Sequence, residues 1–306
     1  MAGIAPAGED GHDASRPGET TITRLMPSKA GADLPDAEPR WTGLRQFVGL
    51  AVPLLTAAAV LATACLGYAQ SEPPDLIKAR AKERRTFTDA EIIKGFFHTA
   101  FGAEFRVAGS TDRIRKYDGP VRVFADSKAS PDRRAELAMV VDDIREHVQH
   151  LDIAMADKPE DAQVNVTLIR DRDLRRTIRK FWSEHARKIQ RLEPQCLSGF
   201  QKDDTFKIVR SDVLLVVDAG DFIFRDCAYE ELLQSLGPIN DTDIPWTMFN
   251  DDVQMGFFDI YDQYILNILY HPRIKPGMTV DEVSGLLPQI IPKVRAFVER
   301  TNSTAP

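Results

Sequence analysis

The chain has 306 residues, 28% of them charged, and carries a formal net charge of -7 at pH 7. Nucleic-acid binding generally needs a basic face, so this acidic balance excludes it as the expected function. The length would allow one large domain or two small ones. The first 40 residues are rich in Gly, Ala, Pro, Asp and Glu and lack helix or strand periodicity, so residues 1–46 are predicted to be disordered.

An uncharged segment of 23 residues follows, from Phe47 to Ala69, and is long enough to cross a hydrocarbon core of about 30 Å. Basic residues precede this segment and acidic residues follow it, so the positive-inside rule places residues 1–46 in the cytoplasm. The small residues at its end would also allow cleavage as an export signal. We therefore expect a periplasmic domain, either anchored in the inner membrane through residues 47–69 or released from it.

The cysteines agree with export. Cys65 lies in the membrane segment, which leaves Cys196 and Cys227 as a pair in the exported part. A disulfide between them would suit an oxidising compartment. Two buried thiols are the alternative, because the sequence does not give their separation in space.

A linker over residues 70–85 precedes a domain predicted to span residues 86–301. A capping box of Thr88 and Glu91 begins its first helix, which runs toward Phe101. Periodicity then predicts strands at 120–126, 164–169 and 211–218, and helices at 137–151, 173–189, 225–236, 257–270 and 279–301. Prolines within the last helix are expected to kink it. This alternation indicates an α/β (α+β) fold.

The helix at 225–236 carries the most informative polar pattern. Gly237 suits a left-handed C-terminal cap, and the following proline prevents continuation. Zinc proteases of the metzincin kind contain His-Glu-x-x-His-x-x-Gly-x-x-His, in which three histidines bind zinc and the glutamate activates water. Here Glu231 and Gly237 keep that frame, whereas the three histidine positions are occupied by Glu230, Gln234 and Asn240.

The order of elements around this motif also resembles the metzincin plan. A strand, a long helix and further strands precede the motif helix, and Met248 follows at the place of the methionine turn. An ordinary core methionine is the alternative reading of Met248. The resemblance implies a zincin-like mixed sheet with a long backing helix and a motif helix.

A closer resemblance covers about 87–298 and is carried by Phe87-Thr-Asp-Ala-Glu-Ile-Ile-Lys-Gly-Phe, Ile114-Arg-Lys-Tyr with Asp-Gly-Pro-Val-Arg-Val, Cys196-Leu-Ser-Gly-Phe, Cys227, Glu230-Glu231, Gln234, Asn240-Asp241, Phe249-Asn-Asp-Asp and Tyr270-His-Pro-Arg-Ile-Lys-Pro-Gly-Met278. In these residues the chain resembles a bacterial exported family known as the domain of unknown function number 2927. This family has no assigned activity, so the resemblance implies an exported zincin-like domain without naming a reaction.

Two functions are compatible with the degenerate motif. Zinc prefers nitrogen and sulfur ligands, whereas Glu230, Gln234 and Asn240 offer a carboxylate and two amides, so no cofactor is expected. We therefore favour a non-catalytic binding module, a pseudoenzyme that binds a peptide, a glycan or another envelope protein. The alternative is a metal-dependent peptidase or hydrolase with Glu231 as general base toward a metal-bound water.

Two further groups of residues suggest cation binding. Asn240-Asp241-Thr-Asp243 and Asn250-Asp251-Asp252 are loop clusters of the hard oxygen donors that Ca²⁺ or Mg²⁺ prefers, although turn formation is the commoner role of such residues. His147 and His150 are three residues apart on one helix, a spacing that could place both on a metal, and two solvated histidines are the alternative. A divalent cation therefore stays open as a ligand.

Overall fold

The computed structural model describes residues 19–24, 73–102, 112–127, 129–191 and 193–303. The predicted membrane segment at 47–69 lies outside these residues. Within the described ranges, no helix has both the length and the apolar character needed to span a bilayer.

A mixed sheet of six strands forms the centre of the fold. The strands are β1 (Glu19–Arg24), β2 (Val121–Ser127), β3 (Ile153–Met155), β4 (Val164–Ile169), β5 (Cys196–Lys202) and β6 (Ile208–Val216). Their order across the sheet is β1-β5-β6-β4-β2-β3. Strands β2, β3, β4 and β6 are parallel, whereas β5 runs antiparallel to both of its neighbours.

Eight helices accompany the sheet in the described part of the chain. They are α1 (Pro74–Arg80), α2 (Asp89–Ala100), α3 (Arg134–His147), α4 (Asp171–Phe181), α5 (Ala186–Gln190), α6 (Asp221–Ser235), α7 (Ile260–Leu269) and α8 (Val280–Ser303). The parallel strands are joined through intervening helices or turns, as parallel pairing requires. The predicted mixed α/β class is confirmed.

Both faces of the sheet are covered, which explains the nearly continuous apolar run in β6. Val213 and Leu215 pack into the main core with α3 and α6, whereas Leu214 and Val216 pack into a second core with α4 and α5. A strand that is buried on both faces has apolar residues at successive positions, without the alternating polar residues of a strand that has one solvent-exposed face. Each buried aliphatic side chain contributes roughly 1.5–3 kcal/mol relative to exposure.

The helix boundaries predicted from capping residues are confirmed. The backbone N–H of Thr88 donates to Glu91 Oε2 at 2.8 Å, and the N–H of Glu91 donates to Thr88 Oγ1 at 3.3 Å. Gly237, just beyond α6, has φ +137°, and a Cβ there would lie 2.3 Å from the carbonyl oxygen of Arg115. Only glycine satisfies both the backbone conformation and the close approach.

One predicted helix is two helices. The predicted helix at 173–189 is interrupted between α4 and α5, where Trp182 leaves the helical conformation at the end of α4. Its indole is buried against the same small core as Ile178 and Ile189. The apolar spacing continues through the break, so periodicity could not reveal it.

Several elements were not predicted. Helix α1 lies within the expected linker at 70–85, and β3 and β5 were assigned no structure. The five residues of β5 from Cys196 to Phe200 are all buried, so this strand has no polar–apolar alternation. Gly199, within it, also lowers β-propensity.

Strand β1 lies within residues 1–46, the segment predicted to be disordered. Its six residues pair antiparallel with β5, and Ile22 lies opposite Gly199. The segment is rich in Thr and Ile, which suit an extended strand, and β5 offers an edge with unpaired backbone groups. An edge of this kind is a template for an added strand.

A disulfide joins β5 to α6. Cys196 and Cys227 are bonded with their Cα atoms 5.9 Å apart, and 31 positions separate them in sequence. The predicted pairing is confirmed, and the alternative of two buried thiols is excluded. The bond closes a loop that contains β6, so it fixes the antiparallel strand to the helix behind the sheet.

We expect removal of this disulfide to lower the free energy of unfolding by about 3–4 kcal/mol, because a closed loop of about 30 residues restricts the unfolded chain. The double variant Cys196→Ala/Cys227→Ala and the reduced wild type should show the same loss in urea denaturation. Cys65→Ser serves as the control that leaves the midpoint unchanged. A wild type whose midpoint does not respond to reductant would contradict the bond.

Candidate functional site

Helix α6 buries an unusual number of polar side chains between Asp226 and Gln234. Asp226, Glu230, Glu231 and Gln234 are each no more than 4% exposed. The helix passes between the sheet and the loops that follow it, and Cys227 ties it to β5. Buried carboxylates are rare unless they are paired or bind a metal, so this stretch of α6 is the candidate site.

Two loop carboxylates converge on α6. One carboxylate oxygen from each of Glu230, Asp241 and Asp251 lies within 4.8 Å of the other two. Glu230 is buried, and the two aspartates are half-buried. No histidine or cysteine belongs to this group. The structure therefore brings together one residue of the metzincin-like frame and one residue from each predicted loop cluster of oxygen donors.

The asparagines that precede the two aspartates hold the loops in place. Asn240 Nδ2 donates to the carbonyl oxygens of His98, at 2.8 Å, and Asp241, at 3.2 Å. Asn250 Nδ2 donates to the carbonyl oxygen of Ile244 at 3.0 Å. The predicted ligand Asn240 thus uses its amide nitrogen on the backbone, and the next residue, Asp241, supplies the oxygen near Glu230.

Burial and mutual repulsion disfavour charge on Glu230. Desolvation raises the pKa of Glu230 well above its ordinary value, and the nearby carboxylates of Glu231, Asp226, Asp241 and Asp251 raise it further. Burial likewise raises the pKa of Asp226 from 3.8 to about 6. That rise occurs although Asp226 Oδ1 accepts hydrogen bonds from the N–H groups of Met255 and Gly256 at 2.7 and 2.9 Å.

Gln234 extends the cluster with an amide. Its Nε2 donates to Glu230 Oε1 at 3.3 Å, whereas its Oε1 is buried and has no hydrogen-bond partner among the described residues. An unsatisfied buried carbonyl oxygen costs about 1–3 kcal/mol, which a cation could offset. The three carboxylates form an all-oxygen donor set, which fits a hard cation such as Ca²⁺, Mg²⁺ or Mn²⁺ and does not fit zinc.

The remaining residues of the predicted motif have clear positions. Glu231, the predicted general base, is fully buried beside Glu230. Met248 is buried, and its N–H donates to Asp262 Oδ2 at 2.8 Å, so the turn that contains it is fixed to α7. Gly237 ends α6 and lets the chain turn toward Asp241.

The histidines do not converge. His147 Nδ1 contacts an Asp143 carboxylate oxygen at 2.9 Å, and this contact raises the pKa of the imidazole. His150 instead faces the ring of His271 at 6.2 Å between centroids. His98 lies near Thr242, with 3.5 Å from Nδ1 to Oγ1. The spacing of His147 and His150 therefore does not produce a shared site.

A cleft of about 890 Å³ adjoins the carboxylate cluster through a shared loop. The loop from Ile244 to Phe257 carries Asp251 and also contributes Trp246 and Met255 to the cleft wall. Phe222, from the start of α6, forms part of another wall. The cleft and the cluster are thus built from the same helix and the same loop.

Sequence reasoning missed Asp226 and the buried pair of Asp259 and Asp262. Asp226 lies one turn before Glu230, and that spacing was the available signal. Burial raises the pKa of both Asp259 and Asp262. Asp259 caps α7 by accepting from the N–H of Tyr261, so its sequence signal was that of an ordinary helix start.

Fold and site together define a mixed α/β domain with a buried carboxylate cluster at the end of its motif helix. A family model described as "Protein of unknown function (DUF2927)" matches residues 89–289. The match covers more than half of the chain, which therefore belongs to this family, and the predicted family is confirmed. No curated protein and no solved structure gives a significant match.

The raised pKa of Asp226 makes the free energy of unfolding fall as the pH rises. Folded Asp226 keeps its proton to about pH 6, whereas the unfolded side chain loses it near 3.8. The folded chain binds more protons in this window, so the Asp226 contribution to the free energy of unfolding is lost as the pH rises from about 4 to 6.

We expect Asp226→Asn to reduce this loss by about 2–3 kcal/mol, because the side chain whose pKa burial raises from 3.8 to about 6 is then absent. Urea denaturation at several pH values in a chelating buffer would measure it. Asp243→Asn, at an exposed position in the loop that contains Asp241, should keep the parent slope. An Asp226→Asn slope equal to that of the parent would show that Asp226 does not titrate as the structure indicates.

Proposed function

We propose that this domain is an extracytoplasmic, metzincin-like module that binds extended peptides along the edge of β5, next to a site for a hard divalent cation. The β1–β5 pairing carries the proposal. Six consecutive residues of a segment far away in sequence add to β5 as an antiparallel strand. Addition of a strand to an open sheet edge is a general mode of peptide recognition, in which backbone hydrogen bonds supply the affinity.

The topology of the domain supports a metzincin-like fold. The first three strands of the domain are parallel and flanked by the long helix α3, the fourth is the antiparallel β5, and the fifth leads into α6. The motif helix therefore lies directly after the strand that pairs with β5, and the disulfide of Cys227 holds it there. A peptide on β5 would consequently lie along the side of the domain that carries the motif helix.

The disulfide supports a position outside the cytoplasm, because cytosolic thiols are normally kept reduced. The β1 pairing constrains how the chain is arranged there. If residues 47–69 span the inner membrane with residues 1–46 in the cytoplasm, β1 cannot reach β5, and the β5 edge is open to another peptide. If residues 1–46 are exported with the domain, β1 occupies that edge and competes with other ligands in cis.

A proline in β1 should distinguish a β5 edge occupied by β1 from a β5 edge that is open to another peptide. We expect Ile22→Pro to abolish the β1–β5 pairing, because proline removes a backbone donor from the ladder and is poorly accommodated there. The exported full-length variant should then bind a synthetic peptide of residues 17–26. The wild type should bind this peptide at least 10-fold more weakly, because its own β1 competes for the same edge. The tether gives β1 an effective concentration of roughly millimolar at that edge.

Fluorescence anisotropy of the labelled peptide would measure this difference. Ile4→Pro is the matched control outside β1, and a peptide with proline at its centre should bind neither protein. Equal anisotropy curves for the wild type and Ile22→Pro would contradict an edge site on β5.

The cation site is supported by the convergence of Glu230, Asp241 and Asp251. A bound divalent cation would replace the proton that burial otherwise retains on Glu230, and it would provide a partner for the Gln234 oxygen. It would also tie the loop of Asp251, which forms a wall of the cleft, to α6. A cation at this position would therefore organise the surface next to β5.

We expect Ca²⁺ or Mn²⁺ to stabilise the folded protein by about 2.7 kcal/mol when the free cation is at about 100 times its Kd. Asp241→Asn and Asp251→Asn should each weaken binding by about 10-fold or more in calorimetric titration and thermal unfolding. Asp243→Asn and Asp252→Asn change equally acidic but exposed residues of the same loops and should leave binding intact. Equal losses in all four variants, or tight binding of zinc alone, would contradict the proposed site.

The adjacency of Glu231 to the cluster favours a second candidate, a cation-dependent hydrolase in which Glu231 is the general base. We place binding ahead of hydrolysis because Glu231 is fully buried, whereas a general base has to reach a water molecule beside the substrate. Glu231→Gln keeps the shape of the side chain and removes its basicity. If the parent hydrolyses peptides and this variant does not while still binding Ca²⁺, the hydrolase is the correct function.

A further inference from the structure

The outer face of α4 and α5 is strongly basic in an otherwise acidic protein. Residues 170–191 contain nine arginines and lysines and three acidic residues, whereas the whole chain has a net charge of -7. We call this surface the basic face and define it by its exposed cations, which are Arg172, Arg175, Arg176, Arg179, Lys180, Arg187, Lys188 and Arg191.

Packing explains why these charges share one surface. Leu174, Ile178, Trp182, Ala186 and Ile189 all point into the small core beneath the helices. The positions between these residues face outward, and six of the eight exposed ones are Arg or Lys. The two helices together cover one side of the sheet, opposite α3 and α6, with a continuous positive surface.

Three of these cations have an acidic partner within the described part of the chain. Arg176 pairs with Asp173 at 2.9 Å, while the contacts of Arg172 with Asp173 and of Arg175 with Glu193 are 4.0 and 3.9 Å long. Arg179, Arg187 and Arg191 form no ion pair with any residue in the described ranges. Such exposed pairs contribute little to stability, so internal ion pairing does not account for the charge.

A second feature of the basic face is a cleft of about 550 Å³ between α4 and the end of β4. Arg170, Arg172, Arg176 and Lys180 line it, together with the acidic residues Asp126 and Asp173. The cations outnumber the carboxylates in this cleft, so a phosphate group would find several donors there.

We propose that the basic face docks on the anionic headgroups of a phospholipid bilayer. Charge complementarity selects a polyanionic partner, since clustered Lys and Arg are attracted to the negative potential of an acidic lipid surface. The disulfide indicates an oxidising compartment, in which nucleic acid is not the usual polyanion. The same chain also carries the uncharged segment at 47–69, which would hold the domain near a membrane. The choice of a lipid bilayer as the partner thus rests on the extracytoplasmic location proposed above.

Docking through this face would orient the domain. Because α3 and α6 lie on the opposite side of the sheet, the carboxylate cluster would face away from the lipid. Anionic headgroups would also be kept away from the acidic cluster, which they would repel.

Lysine footprinting of the full-length chain would test the proposal. The protein is incorporated into vesicles of phosphatidylcholine alone or of phosphatidylcholine with phosphatidylglycerol, and each lysine's acetylation rate is followed by mass spectrometry. We expect Lys180 and Lys188 to react several-fold more slowly with phosphatidylglycerol present, and Lys158 and Lys293, exposed elsewhere, to be unchanged. About 1 M NaCl, which shortens the Debye length to about 3 Å, should remove the protection.

Two triple variants provide a matched comparison. Arg172→Gln/Arg176→Gln/Arg179→Gln should remove most of the protection at Lys180, whereas Arg134→Gln/Arg145→Gln/Arg300→Gln loses the same charge at other exposed positions and should keep it. Equal acetylation in both lipids would overturn the proposal. So would protection by duplex DNA that phosphatidylglycerol does not give, which would identify a nucleic-acid partner.

Flotation distinguishes lipid binding by the basic face from membrane anchoring through residues 47–69. A chain that does not float with vesicles of phosphatidylcholine alone lacks a stable anchor. If it nevertheless floats with phosphatidylglycerol and shows protected Lys180 and Lys188, the basic face binds lipid without an anchor. If it floats with both lipids and shows no protection, the anchor is present and the basic face does not dock.

Discussion

The burial of the Glu230 carboxylate among four other acidic side chains is the constraint on which the site depends. An isolated charge at this depth would be strongly destabilising, so the side chain must keep a proton or face a cation. The surrounding structure is arranged around that requirement. Gln234 donates to Glu230, and asparagine amides hold the loops of Asp241 and Asp251 in position. A proton satisfies Glu230 alone, whereas a cation would satisfy all three carboxylates of Glu230, Asp241 and Asp251.

This constraint connects the site to the rest of the fold through α6. The helix carries Glu230 near one end and forms part of the 890 Å³ cleft near the other, and Cys227 in its middle is bonded to β5. A change in the charge state of the cluster therefore acts on an element that also contacts β5 and the cleft. The disulfide limits how far α6 can move relative to β5, so the effect would fall mainly on the loop of Asp251.

The parts of the fold that were predictable are those encoded by local chemistry. The capping box at Thr88 and the glycine at 237 marked helix ends because each satisfies backbone groups within a few residues. Strand β5 was not predictable in this way, since both of its faces are buried from Cys196 to Phe200 and one of its partners, β1, lies far away in the sequence. The break at Trp182 was hidden for a related reason, because the indole continues an apolar spacing that the backbone does not follow.

The site shows the same division between local and tertiary information. Spacing along the chain identified Glu230, Glu231 and Gln234, whose positions on one helix are fixed by its geometry. Loop residues are positioned by hydrogen bonds that the sequence does not display, and Asn240 consequently holds the backbone while Asp241 turns inward.

Net charge was a similarly incomplete guide. A total of -7 suggested no affinity for polyanions, yet the acids include a buried cluster on one side of the sheet while the bases gather on α4 and α5 on the other. An electric field acts over roughly a Debye length of 8–10 Å, so a partner responds to the face it meets rather than to the sum over the molecule.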